Sequence, residues 1–239
     1  MREMEQMALS YLGRNPILCM DMVEALRRGD GVVSAVRTDG VLISIPRSGA
    51  YLLAAGDTAA AEALGGLIRG ARQLAVHDKD NAQLLRDELG FTALMECRAA
   101  AYVNPFPPGS RGFDLLQVKP LGPEQEEALM ESFPGEFDRD ELRERLAARA
   151  VYGVLHRREP EGIVGIYPEG GVGMLAVRQD LEEQAAMELL GGLVAYITGW
   201  CLDKCLAPFV HIPVEDGLLL SVYEQAGYTV CEKNMYWLG

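Results

Sequence analysis

A strand that runs into a helix is a place where a protein can hold a phosphate. The first backbone N–H groups of the helix are unpaired, and the helix dipole is positive there. The stretch VRQDLEEQAAMELL, residues 177–190, has that form. Phosphate-holding junctions carry glycines, which let the anion reach the backbone, and a basic residue. This one carries Glu182 and Glu183. Two carboxylates in a first turn satisfy the dipole themselves and repel an anion. At ~7 Å and an effective dielectric of ~20–80, each carboxylate–phosphate pair costs on the order of 0.6–2.4 kcal/mol. Arg178 offsets part of this only if it points into the junction.

Other chemistry is sparse. The five cysteines, Cys19, Cys97, Cys201, Cys205 and Cys231, form no C-x-x-C, and only three histidines exist to complete a metal site, so no metal is expected. Cys201 and Cys205 share one helix face and read as packing residues. Reduced thiols, and an N-terminus without the basic head, apolar stretch and cleavage site of a secretory signal, give a cytoplasmic expectation. No run of roughly 18 purely apolar residues occurs, so no membrane span or membrane partner is expected.

The net charge of −13 is lopsided, with −1 in residues 1–112 and −12 in residues 113–239. An acidic field disfavours nucleic acid and anionic membranes, and it is compatible with a cationic amine as well as with plain solubility. The oligomeric state is not legible from the sequence.

The elements that must position these residues fall into two halves. NPFPPGSRG, residues 104–112, concentrates proline and glycine where the charge balance shifts. It divides the chain into residues 1–105, a linker 106–112, and residues 113–239. The second half reads as a strand FDLLQVKPL, helices near 123–132 and 138–149, strands AVYGVLHR and GIVGIYP joined through REPEG, and a strand GVGMLAV. A helix from Glu182 to about Cys205, a strand APFVHIPV, a short helix ended by Gly227 and a last strand follow. The first half reads as helices 2–12 and 16–28, a hairpin with Asp39-Gly40 at its turn, and a strand AYLLAA. After these come a helix 58–69 capped through Asp57 or Thr58, a strand RQLAVHD, a helix 81–89 and a strand FTALMECRAAAYV. The class is α/β, with a mixed sheet flanked by helices in each half.

The halves also match in letters. EALGGLI pairs with ELLGGLV, His77 of LAVHD with His211 of PFVHI, and DELGFTA with EQAGYTV, at offsets of 126, 134 and 137. The steadily rising offset points to an internal duplication with insertions in the second copy.

This order, ending in LLLSVYEQAGY, resembles the GNAT acetyltransferase superfamily. Asp216, Tyr223, Glu224, Gly227 and Tyr228 occupy the places of that family's last motif. GVGMLAV with its long helix is similar to the acyl-CoA-binding core, and APFVHIPVED to the strand splayed beside it. The resemblance covers 113–239 and extends to 1–103 with the first strand missing, so the chain looks like a tandem GNAT protein with a degenerate first copy. It implies two tandem GNAT-like domains and an N-acyltransferase that moves an acyl group, most simply acetyl, from acyl-CoA to a small amine. Tyr223 is then the general acid, or else a ring packed on the sheet. Glu215 and His211 are the candidates for the base. His211 has a counterpart in the half lacking the tyrosine, where Arg86 stands instead, and this argues for a shared structural role. The cofactor contacts implied are Leu175, Ala176, Val177, Arg178, Glu183, Gln184, Ala185, Ala186 and Asp216. Against the family pattern, Glu182 and Glu183 stand near the basic and first glycine positions, and Ala185 and Met187 replace small residues beyond. In the first half, GDTAAA is too short for the family loop and no CoA is expected there. The alternatives are a catalytically silent ligand- or protein-binding module of the same fold, or a scaffold in which the halves only pair.

Overall fold

Carboxylate caps set the starts of several helices in the computed structural model, which describes residues 3–110 and 112–239. In the first half α1 (Glu3–Leu12) and α2 (Met20–Arg28) precede β1 (Val32–Arg37), β2 (Gly40–Ile45) and β3 (Ala50–Ala55). Then come α3 (Thr58–Gly65), β4 (Gln73–Val76), α4 (Lys79–Leu89) and β5 (Leu94–Ala101). Asp57 caps α3 by accepting from Ala60 N–H, and Asp78 caps α4. Residue 2, the expected start of the first helix, and Arg111 of the linker lie outside the described residues.

The second half contains β6 (Lys119–Pro120), α5 (Glu126–Ser132), α6 (Arg139–Ala147), β7 (Val151–His156), β8 (Glu159–Ile166) and β9 (Val172–Val177). It continues with α7 (Glu183–Asp203), β10 (Phe209–Pro213), α8 (Gly217–Gln225) and β11 (Thr229–Leu238). Three expectations shift. FDLLQVKPL is mostly not a strand: Asp114 accepts from Leu116 N–H and caps a 3-10 turn, leaving only Lys119–Pro120 extended. The first hairpin turns on Thr38 and Asp39, with Gly40 already paired to Arg37. The β7–β8 turn is Arg157–Arg158, both with positive φ, and GluProGluGly belongs to β8.

Helix α7, at 21 residues, is long and apolar enough by length and composition to cross a membrane, contrary to the expectation for this chain. It lies on the second-half sheet and buries Leu189, Leu190, Leu193, Val194 and Ile197 in the core. Gly192 leaves room on it for the ring of Phe113, since a Cβ there would stand 2.3 Å from that ring. This contact seats the chain leaving the linker.

The strands form a seven-stranded sheet, β1-β2-β3-β4-β11-β5-β10, and a four-stranded sheet, β6-β7-β8-β9. The larger one is built by exchange. The last strand of the second half, β11, inserts between β4 and β5 of the first. The last strand of the first half, β5, inserts between β11 and β10 of the second. The central four strands thus read β4-β11-β5-β10, an arrangement related to itself by a pseudo-twofold that swaps β4 with β10 and β5 with β11. The two halves are topologically interlocked, and the sheet does not stop at the linker.

The copies differ at one joint. In the first half β3 and β4 are parallel neighbours, hydrogen-bonded from Ala50↔Gln73 to Leu53↔Val76. Their counterparts β9 and β10 do not pair. A β-bulge explains the difference. Between Ile163↔Ala176 and Gly165↔Gly173, β9 spends one more residue than β8, and Met174 there has φ 50°. A bulge bends its strand and is an expensive conformation for a side chain-bearing residue. It turns β9 away from β10, opens a gap between them, and leaves the facing edge of β9 without a strand partner.

Candidate active site

The gap between β9 and β10 is the mouth of a cavity of about 450 Å³. Val172, Gly173, Met174 and Leu175 form one wall, and Val210 to Pro213 the other. Tyr223 and Leu219 of α8 close the inner end, and Glu136, Phe137 and Glu141 approach from the α5–α6 region. The first half contributes Ser48, Ala50, Gln73 and Met95, and β11 contributes Trp237. The exchanged sheet therefore brings both copies to one site, and the hydrogen-bonded β3–β4 joint leaves no equivalent gap in the first half.

Glu169 is delivered into this cavity by the turn Tyr167-Pro168-Glu169-Gly170, closed by Gly170 N–H to the Tyr167 carbonyl. Proline at the second position and glycine at the fourth suit such a turn. Gly170 has φ 100°, and the Arg28 side chain of α2 lies where a Cβ would project. Glu169 is only 9% exposed, and among the described residues no cation lies within ion-pair distance of it. Burial pushes its carboxyl up to about 7, with Asp21 and Glu141 adding repulsion against the weaker pull of Arg145. A carboxyl poised there can take or give a proton near neutral pH. Glu141, half-buried beside it, is also raised, first by burial and then by Asp138.

Tyr223 is 1% exposed, and its hydroxyl is buried with no hydrogen-bond partner. Burial lifts its pKa well above the ordinary tyrosine value, so the proton stays on oxygen throughout the working range. The ring is held edge-on by Tyr228 at 4.9 Å between centroids, and Tyr228 is itself fixed by a 2.7 Å hydrogen bond with Thr198. The result is a rigid O–H donor with nothing of its own to donate to. Nearby, Tyr167 lies flat on Gly173, where a Cβ would stand 2.1 Å from its ring.

His211 lines the cavity with the lone pair of its neutral ring already occupied. Nδ1 accepts from the indole N–H of Trp237 at 3.1 Å. Indole only donates, so the proton of neutral His211 sits on Nε2, which faces Asp21 at 3.9 Å. Burial pushes this histidine down to about 4 despite that carboxylate. A ring with no free lone pair is a poor base, and its place is structural. Its counterpart His77 meets the same Asp21, with Nε2 2.9 and 3.0 Å from the two carboxylate oxygens. The matched histidines of the two copies thus converge on one buried aspartate of α2. Glu215 is exposed and does not line the cavity.

Leu175 reaches the cavity, and Ala176 and Val177 continue β9 toward α7. Arg178 is turned away from an anion's path: it is bound to Asp180 and paired to Glu159 at 3.4 Å. Glu182 is the N-cap residue of α7 but makes no side-chain cap hydrogen bond. Glu182, Glu183, Gln184 and Ala185 are exposed, and Ala186 is half-buried, with its N–H given to the Glu182 carbonyl. Both glutamates are thus exposed, and Glu182 does not accept from the first-turn backbone amides. Asp216 caps α8 by accepting from Leu219 N–H. A second cavity, of about 160 Å³, lies between α7 and α8 under Pro108, Gly109 and Ser110 of the linker.

An exposed carboxylate near the first turn still repels an anion, by ~0.6 kcal/mol per charge pair at ~7 Å in a water-like dielectric. The double substitution Glu182→Gln with Glu183→Gln is expected to lower this repulsion, so that a phosphate-bearing probe such as CoA binds about threefold to tenfold more tightly at low ionic strength. Calorimetric titration at two salt concentrations checks this, and the gain shrinks at the higher one.

The fold and the site define an α/β protein with a split mixed sheet, and a buried carboxyl and an unpartnered tyrosine hydroxyl line the split. No protein-family model matches the chain, and no curated protein matches its sequence. Solved structures match it in fold. A Drosophila protein superposes with a TM-score of 0.70 at 14% identity, over 99% of this chain and 95% of that one. An acetyltransferase of the GNAT family from Novosphingobium aromaticivorans gives 0.58 at 14% identity, covering 94% of this chain and 96% of that one. A GCN5-related N-acetyltransferase-like protein from Streptococcus suis gives 0.56 at 14%, covering 97% and 99%. The chain has the fold of the GNAT superfamily, built as two copies in tandem.

Sequence reasoning missed Glu169 and Asp21. Glu169 stands in YPEGG, which reads as an ordinary surface turn, and its burial comes from elements distant in the chain. Its one signal was a lone acid between a proline and a glycine pair, beside the strand taken for the acyl-CoA core.

Proposed function

We propose that the chain is an acyl-CoA-dependent N-acyltransferase whose reaction takes place in the gap between β9 and β10, on a small primary amine. The observation that carries this reading is the meeting of Glu169 and the unpartnered hydroxyl of Tyr223 in one cavity at the split of a GNAT fold. Acetyl-CoA, the simplest donor, supplies the acyl group as a thioester. The exposed first turn of α7 and the end of β9 are the residues that would hold it, through backbone N–H groups rather than basic side chains. Glu169 takes a proton from the acceptor ammonium and frees the nitrogen lone pair. The amine nitrogen then forms the C–N bond as the C–S bond breaks. The second nitrogen proton replaces the one that the Tyr223 hydroxyl gives to the leaving sulfur. The edge of β9 without a strand partner lies in the gap, and its backbone N–H groups would be the ones to orient an acyl carbonyl held there.

Calorimetric titration with acetyl-CoA tests the reading directly, and no binding at millimolar ligand overturns it. Tyr223→Phe gives a second check. A thiol with an ordinary pKa near 8.5 is already a fair leaving group, so the acid is worth about a hundredfold in kcat, the low end for such catalysis. The hydroxyl has no partner to lose, so stability is expected to be unchanged or slightly higher. A melting curve and a rate measured on the same preparation separate the two effects. The competing reading, a silent ligand-binding module, draws on Glu182 and Glu183. Turnover in the wild type that falls about a hundredfold in Tyr223→Phe excludes it.

A further inference from the structure

We infer that the acceptor is an aliphatic diamine, one ammonium held at Glu169 and the other at Glu141 and Glu136. This rests on the reading of the cavity as the acceptor site. The acidic side chains come from separate elements: Glu169 from the β8–β9 turn, Glu141 from α6, and Glu136 from the loop before it. No lysine or arginine lines the cavity among the described residues. Glu169 is buried, Glu141 half-buried and Glu136 exposed, so the carboxylates descend from rim to interior. Val172, Met174 and Trp237 add apolar surface to the same walls. Three carboxylates, apolar surface on the same walls and no basic lining residue suit an alkyl chain that carries two ammonium groups.

A monoamine leaves most of this wall uncompensated. It satisfies Glu169 and places a methyl group among Glu141 and Glu136. The other charged groups around the wall do not change the balance: Asp21 of α2 adds a negative charge, and Arg145 of α6 is the one cation acting on both Glu169 and Glu141. The independent sign that the cavity receives a ligand is the Tyr223 hydroxyl, buried and unpartnered at its inner end.

The test is calorimetric binding of linear diamines of three to six carbons, each against the monoamine of equal length, to the full chain with and without CoA. At least one diamine is expected to bind about tenfold more tightly than its monoamine at low salt. In the Glu141→Gln, Glu136→Gln double variant, checked for fold by circular dichroism, the ratio falls to within about threefold. Equal affinity of every pair, no binding of any diamine, or an advantage that survives the double substitution overturns the inference. Because binding is read without turnover, tight diamine binding by a protein that ignores acetyl-CoA refutes acyl transfer and leaves the diamine assignment standing.

Discussion

Under the proposed acyl transfer, Glu169→Gln is expected to lower kcat/KM by about 10²- to 10⁴-fold, the range of a positioned general base. The wild-type rate is expected to show an acid limb set by this carboxyl, which burial holds at about 7. The base form is the one that works, so kcat/KM falls about tenfold per pH unit below that value, and the limb disappears in the variant. Stability moves in the other direction. The carboxyl's value is raised from 4.5 on folding, so the folded state binds the extra proton between those two limits. Stability is therefore lost as pH rises from about 4.5 to about 7, on the order of 3 kcal/mol in all. Glutamine carries no such penalty, and Glu169→Gln is expected to melt higher than wild type at pH 8. Rates and melting curves across pH 5–9 measure both. A variant that keeps its acid limb, or that loses activity by unfolding, sinks the assignment.

Asp21→Asn has the largest expected effect on stability. His77 Nδ1 donates to the Leu53 carbonyl at 2.8 Å, and Nε2 faces both Asp21 oxygens. Two nitrogens aimed at two acceptors make the ring an imidazolium, so Asp21 and His77 are a fully buried ion pair. Burial opposes each charge, but their attraction and hydrogen bond prevail. Asp21 is held below the usual carboxylate range and His77 above the usual imidazole range. Removing one member of such a pair costs about 3–5 kcal/mol, or roughly 6–20 °C in Tm for a chain of this size. His77 contributes fully below its ordinary value of 6.5 and loses its contribution as pH rises through its raised pKa. Asp21 contributes fully above 3.8 and loses it as pH falls through its depressed pKa. The gap between wild type and variant is thus widest at about pH 4–6.5 and narrows in alkali. Neutral His211 penalises the folded state of both proteins at acid pH, so the gap is the quantity to follow by denaturant titration at pH 5.5 and 9. A gap under about 1 kcal/mol, or one that widens with pH, contradicts the ion pair.

Much of this was legible in the residues. The start of α3 followed from Asp57, whose short carboxylate accepts from Ala60 N–H, while the caps at Asp78 and Asp216 came only with the structure. Long α7 followed from apolar spacing, and the pairing of His77 with His211 followed from letters alone. The EALGGLI and ELLGGLV match fell on equivalent helices, with Leu64 and Leu190 both buried. It joins the end of one helix to the middle of the other, so equal letters did not give equal lengths. The two-residue strand β6 was overread because an apolar run does not reveal that Asp114 turns the chain.

By itself the sequence determined what is local or periodic: the capped helices, the strand order, the doubled plan and the tyrosine at Tyr223. Those depend on contacts within a few residues, or on a pattern that repeats along the chain. Only the tertiary structure decided that the halves exchange β5 and β11, that a bulge at Met174 splits β9 from β10, and that Asp21 and Glu169 are buried. It also left Glu182 and Glu183 exposed, with no cap hydrogen bond from Glu182 to the first turn of α7. Each of these depends on what another element places beside a residue. Burial and charge partners of that kind set proton affinities, and they arise from elements far apart in the chain.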